Sequence, residues 1–292
     1  MAVLNYAHQY SQELAQAYPY VLYSGALWNT ENSSKYKVID AKTIQIPSIS
    51  VGGRTNGNRD TIGGFTRNFD NAWETKTLSN HRQWQTLVHP KDINETNKVA
   101  SISNITKVMN EEEKFPEMDA YIFSTIYKLR NDVKAITPLE ADLEVNTVLD
   151  KFDEMMDAMD EARVPAAGRI LYCDTFTKTL ITKAISIVRS NADKKIVRDV
   201  TRLEEVDIVS VPTDLLKTKY TFTTGYSPAD DALNIKMLLV HPSSILPVVS
   251  YEFAQLEDPS AMSQGKYVYF EESFEDVFIL NKRVDAIQIL VK

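Results

Sequence analysis

Apolar residues recur at every third or fourth position from Ile93 to Asp132, and this run constrains the chain more than any other. Val99, Ile102, Ile105, Val108 and Met109 mark one face, and Met118, Tyr121, Ile122, Ile126 and Leu129 continue it. A one-sided stripe of this kind marks a helix lying on a sheet or on another helix. Pro116 interrupts or bends the run, because proline suits the first turn of a second segment better than a helix interior. Asn94 or Asn104 is placed to cap the start. At ~1.5 Å per residue the rod would span roughly 55 Å. That is long for a chain of 292 residues. The rod is therefore expected to run through the whole molecule, with extended, turn-rich segments on either side.

The segments before the rod are short of local core. Residues 3–17 carry an amphipathic helical pattern (Val3, Leu4, Ala7, Leu14), and Tyr18, Tyr20, Tyr23 and Trp28 crowd in behind it. This reads either as an arm that buries its side chains on something else or as a helix docked on its own domain. Residues 36–51, with Ile44 and Ile46 among β-branched neighbours, predict a strand. Gly52, Gly53, Gly57, Gly63 and Gly64 then fall within residues 52–64, which makes that stretch a flexible tip. Residues 72–88, from Ala72 through Trp73, Leu78 and Trp84 to Val88, read as the returning strand. The whole is a long β-hairpin. A lone two-stranded hairpin is marginal in water, so it must lie on a partner surface, of its own chain or of a neighbour.

Beyond the rod, Pro138 breaks the chain and residues 142–162 form a clean helix. Val145, Val148, Leu149, Phe152, Met155, Met156 and Met159 share one face, and six acidic residues occupy the rest. Val164 to Gly168 turn into a buried strand, residues 169–173. A helix over 175–189 follows, then strands at 208–211, 235–241 and 244–253. Helix and strand alternate as in an α/β unit, here about 138–250. Strands at 266–270, 277–280 and 286–291 close the chain. Glu271, Glu272, Glu275 and Asp276 read as a surface turn between two of them.

Few residues offer chemistry. The glycine-rich tip lacks the closing Lys-Ser or Lys-Thr of a phosphate loop. Asp92-x-Asn94-x-Thr96 starts like a calcium loop, but Asn97 and Ser103 stand where that loop needs Gly and Glu. His8, His81, His89 and His241 lie in separate segments without metal-ligand spacing. Cys173 sits in an apolar strand, where it packs as a small hydrophobe. No Ser-His-Asp pattern or nucleophile elbow occurs. The residues therefore point to no enzyme, metal or cofactor. The acidic helix face and Glu111, Glu112 and Glu113 read as solvated surfaces or as seams facing basic neighbours.

Composition removes further classes. No run of about 20 apolar residues is present to span a membrane. Met1 to Tyr23 lacks the basic start of a secretory signal. The single cysteine rules out an intrachain disulfide and fits a reducing cytoplasm. A net charge of −8 argues against dedicated nucleic-acid binding, yet suits a protein that lies beside DNA without sticking to it.

The order of parts resembles the major capsid proteins of tailed bacteriophages, with the Hong Kong 97-type fold. The likeness is carried by several segments in sequence. They are the opening arm from Asn5-Tyr6-Ala7 to Tyr23, the strand ending Ile44-Gln45-Ile46-Pro47-Ser48-Ile49, and Trp73-Glu74-Thr75-Lys76-Thr77-Leu78 followed by Asn94-Glu95-Thr96. Pro116-Glu117-Met118-Asp119-Ala120-Tyr121 and the run from Val164-Pro165 to Gly168-Arg169 complete the set. The chain departs from many relatives at Asn80-His81-Arg82-Gln83, where they carry an Asp-Arg-Gly-like turn.

The resemblance implies an α+β fold in five parts. These are an N-terminal arm (1–35), an E-loop hairpin (36–90), a spine helix with its P-domain (91–137), an A-domain (138–250) and C-terminal P-domain strands (251–292). It implies a structural, non-enzymatic coat protein that self-assembles into hexamers and pentamers around double-stranded DNA in an icosahedral head. Assembly would take place in the bacterial host cytoplasm. The partners implied are other copies of the chain, a separately encoded scaffolding protein (or a scaffolding segment already removed), a portal and decoration proteins. No membrane and no cofactor are implied. Inter-subunit contacts are expected at Tyr18, Tyr20, Trp28, Arg54, Arg59, Asp60, Arg67, Asp70 and Trp73. A nanocompartment shell of the encapsulin type is an alternative within the same fold. A soluble α/β hydrolase or binding protein, with the rod as a dimer seam, is an alternative outside it.

Removing residues 52–64 is expected to block shell formation and leave a folded subunit. Normal shells in electron micrographs of that deletion would contradict the hairpin's part in assembly.

Overall fold

A computed structural model describes residues 20–34, 36–40, 42–54, 56, 67–95, 101–189, 201–203 and 205–292. The amphipathic pattern over residues 3–17 and most of the glycine-rich tip lie outside the described residues.

The chain enters through a helical turn, Gly25–Trp28. Strands β1 (Lys37–Asp40), β2 (Thr43–Val51) and β3 (Phe69–Thr77) form a three-stranded antiparallel sheet in that order. Residues 36–51 are thus two strands, not the single strand expected. The Asp40 carboxylate accepts from Lys42 N at 2.9 Å and folds the backbone over, an Asx-type turn. That hydrogen bond holds the carboxyl below its ordinary range.

The expected returning strand is also split. After β3, Leu78 is buried and Ser79 is captured by Asp276, whose carboxylate accepts from Ser79 N at 2.8 Å and from Ser79 Oγ at 3.2 Å. The ladder breaks there. Strand β4 (His81–Val88) then joins a different sheet.

The rod is made of α1 (Pro90–Glu95), α2 (Ile102–Met109), a π-helical turn (Asn110–Lys114) and α3 (Phe115–Val133). The cap on α2 is Ser101, whose side chain accepts from Asn104 N at 3.4 Å, so neither asparagine holds that place. Pro116 stands in the first turn of α3. Its ring would crowd the carbonyl four residues back, and the wide π-turn lies over that position. The inner face of α3 is Ala120, Ile122, Phe123 and Ile126, all fully buried.

The α/β unit follows, with α4 (Val148–Glu161), β5 (Ile170–Asp174), α5 (Thr175–Arg189), β6 (Arg202–Leu203), β7 (Val206–Val211), a small pair β8 (Tyr220–Thr221) and β9 (Ser227–Pro228), and β10 (Ile235–Val240). Gly168 makes the turn before β5 at φ +86°, in the left-handed region that favours glycine. The chain closes with β11 (Ile245–Glu257), β12 (Tyr267–Ile279) and β13 (Ile287–Val291).

Two sheets carry the molecule. The first has order β13-β10-β5-β7-β6, with β5 and β7 parallel and the remaining pairs antiparallel. Side chains alternate along its strands. Tyr172, Leu238 and Val240 join the α3 core, while Leu171, Cys173, Met237 and Leu239 join the core under α4 and α5. The sheet is therefore covered on both faces, as its apolar strands require. The second sheet has order β11-β12-β4, all antiparallel.

One expectation for the C-terminus changes. Glu271 to Asp276 are not a turn: they run through the middle of one strand, β12, which joins the strands expected at 266–270 and 277–280. The 3-10 turn Asn281–Ala286 then redirects the chain, and β13 pairs with β10.

Buried polar groups fasten these layers. Asp119 on α3 is fully buried and accepts from Tyr23 N at 3.0 Å, Ser24 N at 2.8 Å, Ser24 Oγ at 2.5 Å and the Tyr20 hydroxyl. Burial pushes this carboxyl above its ordinary range, while the donors pull it down. Asp276 also accepts the Tyr121 hydroxyl at 2.7 Å, so it ties β12 to α3. At the other end of α3, Arg130 donates to Ile287 O at 2.9 Å and Lys134 O at 2.8 Å.

Asp119→Ala would leave two buried backbone N–H groups without an acceptor. It is expected to cost about 2–3 kcal/mol, read as a lower urea midpoint with the slope unchanged. An unchanged midpoint would show that the segment around Tyr20 to Ser24 is held by other means.

Candidate inter-subunit surface

The hairpin of β2 and β3 has two unlike faces. Register pairs Pro47 with Trp73, Ile49 with Asn71 and Val51 with Phe69, which places these residues on one side. Ile44 and Ile46 lie on the other. Ile44, Ile46 and Leu78 pack on Leu246, Val248, Phe274 and Phe278, so the base of the hairpin is anchored on its own chain. Two further contacts steady it: Lys282 Nζ donates to Ile49 O at 2.5 Å, and Asn281 Nδ2 donates to Glu74 at 3.0 Å.

Among the described residues the first face has no such cover. Ile49 is 62% exposed, Val51 70%, and Phe69 and Trp73 52% each. Single exposed apolar side chains are ordinary, but a contiguous row of them on a projecting ribbon marks an interaction surface. Cations sit at its outer end. The Arg67 guanidinium lies over the Phe69 ring, 4.7 Å from its centroid, and donates to Phe69 O and Asn71 Oδ1. Arg54 and Asp70 are exposed nearby.

A second surface with apolar groups uncovered by the described residues lies on the sheet β11-β12-β4. Register places Tyr251, Phe253, Phe270 and Leu87 on one side of it, among Gln83, Gln85, Gln255 and Glu272. Tyr251, Phe253 and Leu87 are all exposed, and the Phe253 and Phe270 rings are 6.2 Å apart. The side facing the rod mixes Trp84, Ala254 and Tyr269 with charged groups, and is held by Arg82. That guanidinium pairs with Glu117 at 2.6 Å and donates to Phe222 O at 2.7 Å, linking β4, α3 and the loop after β8.

The expected contact residues thus fall into three groups. Arg54, Arg67, Asp70 and Trp73 all belong to the hairpin, where register puts Asp70 on the side opposite Trp73. Tyr20 and Trp28 are engaged within their own chain, Tyr20 through Asp119 and Trp28 against the α3 core. Tyr18, Arg59 and Asp60 lie outside the described residues. Sequence reasoning passed over Ile49, Val51, Phe69, Tyr251 and Phe253. Their signal was present as period-two alternation, with Val51, Ile49 and Pro47 spaced by serines.

Cys173 takes no part in chemistry of this surface. It is buried, and burial pushes its thiol up to about 12, far from the thiolate that reacts.

No protein-family model and no curated protein matches the chain. Solved structures do. The chain is similar to the capsid structure of the cyanophage P-SCSP1u, with a TM-score of 0.68 and 11% identity over 96% of this chain and 90% of that one. It is similar to the mature capsid of bacteriophage PhiM1, with a TM-score of 0.67 and 12% identity over 94% and 88%. It is also similar to the capsid of the Myoviridae phage XM1, at 0.57 and 12% over 94% and 93%. The chain therefore has a fold found in phage capsids, mixed helix and sheet throughout. The resemblance read from the order of its segments is matched by these structures.

The two hairpin faces are expected to respond differently to mutation. Phe69→Ser and Trp73→Ser should each change subunit stability by no more than about 0.5 kcal/mol. Ile44→Ala, on the buried face, should cost about 3 kcal/mol. Urea denaturation of the dispersed subunit measures all three, and equal costs on both faces would mean that the outer face is covered by its own chain.

Proposed function

We propose that this chain is the major coat protein of a tailed-bacteriophage head, a structural protein without catalytic activity. Copies self-assemble into hexamers and pentamers and enclose double-stranded DNA. The observation that carries the reading is the outer face of the hairpin, where Ile49, Val51, Phe69 and Trp73 are exposed and covered by none of the described residues, on a fold found in phage capsids.

In this reading residues 1–35 form the N-terminal arm, and the E-loop begins at residue 36. Its projecting part ends at Thr77, where β3 gives way to β4. The rod is the spine helix, and with β4, β11 and β12 it makes up the P-domain. The α/β unit is the A-domain, completed by β13. The E-loop of one copy lies over the open sheet face of the next, with Trp73 and Phe69 against the surface that holds Tyr251 and Phe253. Burial is worth ~25 cal/mol per Å², so a few hundred Å² gives several kcal/mol before the costs of association. Repeated around a closed shell, such contacts add up without one tight site. Arg54, Arg59, Asp60, Arg67 and Asp70 supply the polar rim, and Tyr18, Tyr20 and Trp28 steady the arm.

The net charge of −8 supports a wall that surrounds DNA without holding it. The head is assembled in the host cytoplasm, where a scaffolding protein, a portal and decoration proteins complete it.

The double variant Phe69→Ser with Trp73→Ser is expected to give soluble, folded subunits and no shells, seen by negative-stain microscopy and sedimentation. Normal shells from that variant would overturn the assembly reading. Small uniform particles holding a protein cargo would favour a cellular nanocompartment. A sharp monomer or dimer peak from the unaltered chain would set both shell readings aside.

A further inference from the structure

His241 stands where β10 ends, at a corner shared by three turns. Its backbone N–H donates to Ala286 O at 3.0 Å, at the end of the 3-10 turn Asn281–Ala286. Its ring joins the other two. Nδ1 accepts from Ser243 N at 3.2 Å and so caps the 3-10 turn Pro242–Ser244. Nε2 lies 3.2 Å from Ala167 O, in the turn before β5. These partners leave the ring one state. A carbonyl oxygen only accepts, so Nε2 must carry a proton, and a backbone N–H only donates, so Nδ1 must be bare. Imidazolium carries a proton on each nitrogen, and would keep Ala167 while losing Ser243.

The turn capped in this way is the seat of a segment more than 200 residues away in sequence. Ser243 O accepts from Asn32 Nδ2 and from Arg283 Nη1, each at 2.7 Å. Ile245 O, at the start of β11, accepts from Asn32 Nδ2 at 2.9 Å and from Thr30 Oγ1 at 3.3 Å. Ser244 O accepts from Leu280 N at 3.0 Å. Thr30, Asn32 and Ser244 are all buried. One short turn therefore holds Thr30 and Asn32 against the body of the molecule.

We propose that His241 is an acid-sensitive latch: its neutral ring locks the turn Pro242–Ser244 and the seat of Thr30 and Asn32, and protonation frees Ser243 N and loosens that seat. Histidine suits this part because its charge changes close to neutral pH.

The charged neighbours favour the neutral ring. Arg169, fully buried in the turn before β5, and Arg283, on the turn Asn281–Ala286, both oppose a further positive charge. The carboxylates of the adjoining elements are engaged elsewhere or face water: Asp160 pairs with Arg169, Asp285 lies 3.9 Å from Lys134, and Glu31 is exposed. Burial lowers the imidazole below its ordinary range, the Ala167 carbonyl opposes this, and the two arginines lower it further. A histidine lowered in the folded state contributes stability in full above its unfolded value, about 6.5, and loses it as pH falls from there through the folded value. Neutral pH therefore closes the latch and acid opens it.

Two mass-spectrometric measurements on the full-length chain test this. Slow exchange of the imidazole C2 hydrogen follows the titration of His241 itself, and its midpoint should fall below about 6.5. Amide exchange over residues 242–245 and 30–32, corrected for the intrinsic effect of pH, should rise as pH falls from about 7.5 toward about 4.5. The rise should be roughly two- to tenfold, the worth of one net hydrogen bond. His241→Asn keeps an acceptor for the N–H two residues on, as in an Asx-type turn, but cannot titrate, so its rise should be absent. His241→Ala has no acceptor and should exchange fast at both ends of the range. His81→Gln, which alters a histidine of the second sheet, should behave as the unaltered chain. A His241 midpoint at or above about 6.5 would overturn the proposal, as would a full rise in His241→Asn or its loss in His81→Gln. None of these outcomes depends on whether the chain builds a shell.

Discussion

The peripheral parts of this molecule are fastened to α3 through carboxylates that pair with no cation among the described residues. Asp119 gathers Tyr20, Tyr23 and Ser24, and Asp276 gathers Ser79 and Tyr121. Apolar burial is the larger favourable term, but it has no direction. A carboxylate that accepts several donors does have direction, and charge-assisted hydrogen bonds of this kind are the stronger ones. Asp276 shows the consequence. By taking Ser79 out of the ladder it ends the hairpin and sends β4 into the second sheet. One side chain thereby decides which residues project and which return to the body.

The division between covered and uncovered surface follows from that break. Below it, Ile44, Ile46 and Leu78 reach the body and are buried. Beyond it, β2 and β3 have no layer to lie on, and the ribbon keeps Ile49, Val51, Phe69 and Trp73 in water. The body can offer no more cover, because the five-stranded sheet already has α3 on one face and α4 and α5 on the other. Among the described residues, one side of β11-β12-β4 also remains open, with Tyr251, Phe253 and Leu87 exposed on it. Two uncovered apolar faces with no room to fold one onto the other support the proposal that other copies cover them. This is the physical ground of the shell reading.

Much of this architecture was legible in the chain. The stripe on the rod, the α4 and α5 helices and the apolar strands β5, β7 and β10 all follow from periodicity, because burial on a helix or a sheet repeats at a fixed interval. What escaped was set by single polar side chains acting across long sequence separations. Asp40 turns β1 into β2, Asp276 parts β3 from β4, and Ser101 rather than an asparagine caps α2. The acidic run Glu271 to Asp276 misled for a related reason. Its charges suggest a turn, yet Lys114 on the rod pairs with Glu271, and Asp276 is satisfied by Ser79, Tyr121 and Val277 N. Partners so distant leave no local mark. The hairpin's outer face was half legible: Trp73 stood out by size, while Ile49 and Val51 needed the register to show that they share its side.

An identity of 11–12% over 94–96% of this chain limits what such similar folds have in common. At that level few side chains are shared, so the fold must persist through pattern, that is, volume and alternation in the core. Cores tolerate extensive hydrophobic exchange when total volume and patterning are kept. Surfaces that meet other copies are under no such averaging, because a contact between two faces depends on the particular residues in it. Chains can therefore keep one architecture and still fail to assemble with each other. On the proposed function, the discriminating residues of this protein would be those the fold does not need. Arg67 over Phe69, Asp70 and Trp73 are exposed and lie outside the apolar cores. Fold and partner choice would then be carried by separate sets of residues, parted by the break at Ser79.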